Sequence, residues 1–194
     1  MSRETIGYGE RDLRRLRHLA GEPLERPEGL RRVLDRLGYQ EDWRSDYRVR
    51  SVRASLHSPR ITCLDAAILS YGLLELLFGH VRRRLLAIHR RDPRGEECGH
   101  CVTLYRGEDG RVGAFSKSSF AGLGHRDPVF DDEAAVATSY ARAYVDMGFE
   151  PRYFGVISLE EVAGDLDWRH GTEPLNVLSD RLQARYEYAF ALTR

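Results

Sequence analysis

The chain has 194 residues, enough for one or at most two compact domains, and its 42% hydrophobic content with two tryptophans suits a soluble globule with a real core. Basic and acidic residues balance at 30 each, so no net field favours nucleic acid as a partner. Three cysteines exclude a disulfide-rich secreted scaffold.

The opening Met1-Ser2-Arg3-Glu4-Thr5 carries no apolar run. Neither a signal peptide nor a membrane anchor is expected, and the chain reads as cytoplasmic. Arg11 to Ala20 predicts a short amphipathic helix through Leu13, Leu16 and Leu19. Pro27 to Leu37 predicts a second, with Leu30, Val33, Leu34 and Leu37 on one side and Gly38 as its stop. Residues 39–58 are polar and irregular, with a short strand expected at Tyr47 to Val52, and should wall one side of any cleft. A helix over 63–78 is the strongest signal: Thr62 caps it, Asp65 completes a capping box and Gly79 stops it. Its apolar run is interrupted by Ser70, Gly72 and Glu75, so it reads as a buried helix rather than a membrane span.

Leu85 to His89 predicts a strand. His100 to Tyr105 and Arg111 to Phe115 predict a hairpin around Gly107-Glu108-Asp109-Gly110. A long helix is expected from Asp131 or Asp132 to Met147, then a strand at Tyr153 to Ile157, a capped helix start at Ser158, and a last strand over Arg185 to Leu192. Nothing repeats. The expected architecture is α+β: a central cysteine-bearing helix on an antiparallel sheet, with helices segregated to one face. A single domain over 1–194 is expected, with 1–45 a helical N-terminal extension packed on it.

The chemistry centres on Cys63 and His100. Cys63 opens its helix, where unpaired amides and the helix dipole favour a negative sulfur. His100 opens a strand and shares a face with Val102 and Leu104, a half-buried place for a base. A thiol and an imidazole on facing elements together make a nucleophile. Among the other histidines, His57 and His89 are the nearest rivals. The imidazole needs a partner on its second nitrogen. Antiparallel hairpin ends meet, which brings Ser116 beside His100. A hydroxyl orients the ring but lends no charge. Asp127 and Asp131 are the alternative orienters, with turn or cap work as their plainer role. Cys98-Gly99-His100-Cys101 matches a dithiol redox motif, but that chemistry needs a helix after the first cysteine, and Val102-Thr103-Leu104-Tyr105 favours a strand. Metal binding by this pair lacks a second ligand pair.

With these residues in place, the chain resembles the transglutaminase-like cysteine enzymes, a branch of the papain-like superfamily. The matching stretch is roughly 60–120. It runs from Thr62-Cys63-Leu64-Asp65-Ala66-Ala67 through Gly99-His100-Cys101-Val102-Thr103-Leu104-Tyr105 to Gly113-Ala114-Phe115-Ser116. The spacings, 37 residues from Cys63 to His100 and 16 from His100 to Ser116, match that family's cysteine, histidine and aspartate. Ser116 standing in the aspartate's place is a departure.

The resemblance implies a transglutaminase-like fold with Cys63 as nucleophile, His100 as base and Ser116 as its orienter. It implies acyl transfer on a peptide, amide or thioester substrate, free or carried on a partner protein, with no metal or organic cofactor. Peptidase, amidase and amine acyltransferase activities all fit. The alternatives are an inert binding or scaffold protein of the same fold, and a dithiol redox protein using Cys98 and Cys101. Neither nucleic acid nor membrane is an expected partner.

Overall fold

Ser51, Thr62, Asp132 and Ser158 each accept a hydrogen bond from the amide three residues on, and each opens a helix. In the computed structural model, which describes residues 7–41 and 48–190, these are α3 (Val52–His57), α4 (Cys63–Leu77), α5 (Glu133–Asp146) and α6 (Leu159–Ala163). Two helices precede them, α1 (Glu10–Ala20) and α2 (Leu30–Asp35), the latter entered through a 3-10 turn at Pro27–Gly29. A final helix, α7 (Val177–Gln183), lies in a stretch where the sequence predicted no element.

The strands are β1 (Gly38–Tyr39), β2 (Arg60–Ile61), β3 (Arg83–Arg91), β4 (Glu97–Arg106), β5 (Val112–Phe115), β6 (Arg126–Phe130), β7 (Glu150–Ile157) and β8 (Tyr188–Ala189). The first two form a small parallel pair. The other six form an antiparallel sheet in the order β6-β5-β4-β3-β7-β8. The architecture is therefore mixed α and β, with the cysteine-bearing helix on an antiparallel sheet.

The helices do not segregate to one face. Leu85, Ala87, Cys101, Tyr105 and Phe115 join the core that contains α4, while Leu86, Ile88, Val102, Leu104 and Ala114 join a second core under Val136, Tyr140 and Tyr144 of α5. The sequence signal for this was present in Leu85-Leu86-Ala87-Ile88. A strand buried on both faces is apolar at successive residues, not at alternate ones.

Two further expectations change. Residues 48–51 form no strand; they lead into α3, whose cap is Ser51, and Tyr47 lies outside the described residues. The last strand shrinks to Tyr188–Ala189, and residues 191 and 192 lie outside the described residues.

Every residue of α4 from Cys63 to Leu74 is buried, as befits a helix covered on all sides. Leu16, Leu19, Leu30, Val33 and Leu34 of the first two helices share its core. Gly72 permits the close approach of α3: a Cβ there would meet Val52 Cγ2 at 2.5 Å. On the sheet side the Thr103 hydroxyl donates to the Ala67 carbonyl at 2.6 Å, which pins α4 to β4. Among the described residues, no helix is long and apolar enough to cross a membrane.

Candidate active site

Cys63 is the first residue of α4 because the box around it closes. The Asp65 amide donates to Thr62 Oγ1, and the Thr62 amide donates to Asp65 Oδ2, both at 3.2 Å. The sulfur therefore sits at the positive end of a helix. Its side chain is buried, with 5% of the residue exposed.

His100 sits in the first half of β4. Strand β3 pairs with β4 from Glu97 to Tyr105, but the registered pairs with β5 begin only at Thr103. Along Glu97 to Val102 the β5 side of β4 is therefore open. There a cleft of about 570 Å³ is lined from both faces of the sheet. Cys63, Ala87 and Cys101 contribute from the α4 side, and His100, Arg90 and Phe149 from the α5 side. Strand alternation turns His100 toward α5, where it packs edge-on to Tyr140 and Tyr144. Thiol and imidazole thus reach one cleft from opposite sides of the sheet.

Phe115 is opposite Thr103, so the next residue, Ser116, falls on the His100 face. His100 Nε2 and Ser116 Oγ are 2.9 Å apart. Ser116 Oγ also donates to the Leu123 carbonyl at 2.7 Å. A carbonyl only accepts, so the single hydroxyl proton is committed to Leu123. His100 must then donate from Nε2, which makes Nδ1 the nitrogen with the free lone pair. This is the tautomer that a base receiving a thiol proton on Nδ1 requires.

The ring is held neutral. Burial, then the positive charges of Arg90 and Arg126, push its pKa down to about 3. Ser116 supplies no charge to oppose them. Burial, with Cys63 nearby, pushes the Cys101 thiol up, so Cys101 behaves as a small apolar side chain.

The other candidates are occupied elsewhere. Asp127 pairs with Arg31 and Asp131 with Arg111. His57 pairs with Asp12 at 2.9 Å. His89 does line the cleft; it pairs with Glu97 at 2.9 Å and stacks on Tyr186. Cys98 and Cys101 lie three residues apart in an unbroken strand register, on opposite faces, with Cα atoms about 10 Å apart. A disulfide needs less than about 7 Å. Among the described residues, no group of three or more histidine, cysteine or acidic side chains is arranged to hold a metal.

Sequence reasoning missed His125. Its Nδ1 accepts from the Ser116 amide at 3.1 Å and its Nε2 lies 3.2 Å from Asp35 Oδ1, so it fixes the backbone that carries Ser116. A loop histidine nine residues past Ser116 gives no periodic signal. No family model matches the chain, and no curated protein matches it.

Proposed function

We propose that the protein is a thiol-dependent acyl-transfer enzyme acting on amide or thioester carbonyls. The observation that carries this reading is the tautomer of His100: Ser116 holds Nε2–H, which leaves Nδ1 as the acceptor in a cleft that Cys63 also lines. Cys63 Sγ adds to the carbonyl carbon while its proton passes to His100 Nδ1. The amide at the head of α4 faces the developing oxyanion. Collapse expels the amine or thiol, which takes the proton from His100. Water or a second amine then attacks the thioester and releases Cys63, giving hydrolysis or transfer. Ser116 is a positioning residue in this scheme, and the transglutaminase-like kinship belongs to the same proposal.

A second reading is favoured by one observation. An imidazole with a pKa near 3 is a weak base, and among the described residues its Nε2 meets the Ser116 hydroxyl and no carboxylate. A cleft of the same fold that binds without turnover fits this. One experiment separates the two. Iodoacetamide labelling at neutral pH, mapped by peptide mass, is expected to modify Cys63 faster than a free model thiol, and His100→Ala is expected to remove that advantage. Loss with His89→Ala instead moves the base to His89. Labelling no faster than the model thiol leaves the binding protein as the better account.

A further inference from the structure

Arg90 is 8% exposed, forms part of the cleft wall, and has neither an ion pair nor a hydrogen bond among the described residues. Its Nε and Nη1 are both buried without an acceptor. The guanidinium lies over the rings of Tyr144, at 4.4 Å from the centroid, and Phe149, at 5.2 Å. Those rings hold the cation in place but supply no anion. The nearby Glu97 is already engaged by Arg91 and His89. The Tyr144 hydroxyl is also buried without a partner. A charge taken out of water and left unpaired is costly, so a fold that keeps one there has a use for it.

From these observations we infer that Arg90 is the receptor for a carboxylate on the substrate, and that the substrate is an acyl compound carrying that carboxylate a few bonds from the reacting carbonyl. The placement follows from the register. Arg90 is opposite Cys98, and His100 is two residues farther along β4 on the same face, so the two are diagonal neighbours with Cβ atoms about 7 Å apart. Each planar edge of the guanidinium includes Nε or Nη1, both without an acceptor, and a planar monoanion with two oxygens matches such an edge. Glu96, Glu97 and Asp92 on the cleft rim oppose a dianion. The position of the carbonyl rests on the acyl-transfer reading; the anion site does not.

The test uses the full chain carrying Cys63→Ala, so that binding is measured without thiol chemistry. Thermal unfolding is followed with N-acetylglycine, with the neutral N-acetylglycinamide, and with inorganic phosphate at matched ionic strength. N-acetylglycine is expected to raise Tm saturably and the neutral amide is not. Arg90→Met in the same background is expected to abolish the shift. Arg90→Lys, which keeps the charge but loses the planar edge, is expected to weaken binding about tenfold. No shift, an equal shift from the neutral amide, a shift from phosphate alone, or a shift that survives in Arg90→Lys at full strength overturns the assignment. A positive result here beside an unreactive Cys63 would leave the carboxylate site standing and the acyl transfer refuted.

Discussion

The Asp65 carboxylate, fully buried behind Cys63, accepts from both the amide of Arg50 at 2.8 Å and its Nη1 at 2.7 Å. With the Thr62 amide this makes three donors on one carboxylate. Burial still outweighs them and pushes its pKa above the usual aspartate value. Asp65 thus joins the head of α4 to the segment before α3. Asp65→Ala removes the counter-ion of a guanidinium that is only 25% exposed, leaving it the neutral Gln40 carbonyl at 3.1 Å, and opens the capping box. It is expected to cost about 3 kcal/mol in urea unfolding. Thr62→Ala, which removes the cap hydroxyl but keeps the Asp65–Arg50 pair, is expected to cost about 1 kcal/mol.

Ser116→Asp places a negative charge beside Nε2 of His100. The charge favours imidazolium, so the His100 pKa is expected to rise from about 3 toward the ordinary histidine range. Titration of the ring by NMR measures this directly. The same variant is expected to alkylate faster at Cys63 near neutral pH, because a stronger base takes the thiol proton more readily. The Leu123 carbonyl loses its donor, and a stability loss of about 1–3 kcal/mol is expected alongside.

Stability should fall on mild acidification. His100 titrates near 6.5 in the unfolded chain and near 3 when folded. Between those values the unfolded state binds more protons. The contribution is complete above about pH 6.5 and is lost as pH drops toward 3, at no more than about 1.4 kcal/mol per pH unit. His125, lowered chiefly by burial, acts in the same direction, whereas Asp65, raised by burial, opposes it. Urea unfolding of His100→Asn against the parent chain from pH 7 to 4 isolates the His100 share as a shallower slope.

Oxidation should not join Cys98 to Cys101. The strand would have to break between them, at the cost of its pairs with Arg90 to Ala87. Thiol titration after diamide treatment at high dilution, with Cys63→Ala to remove the third sulfur, is expected to return both thiols. A bridge between them would show that β4 opens readily.

Much of the fold was legible because it is written locally. Thr62 and Asp65 mark the start of α4, Gly107 to Gly110 turn the β4–β5 hairpin, and Asp132 and Gly148 bracket α5; each signal acts within a few residues of itself. Residues with no such signature were missed. Among the described residues β6 pairs as a strand with β5 alone and β1 with β2 alone, each an edge whose pairing depends on a partner distant in sequence. Of the site, the partnership of His100 and Ser116 followed from the hairpin, since antiparallel register fixes which ends meet.

By itself the sequence determined the helix that begins at Cys63, the strand that carries His100 and the neighbour on that ring's Nε2, because caps, turns and alternation are short-range effects. Only the tertiary structure decided which face of the sheet each side chain takes, that α5 packs its tyrosines on the ring, and that Arg90 stands beside it with no anionic partner among the described residues. Those depend on desolvation and on charges far apart in the chain, and no local pattern of residues encodes them.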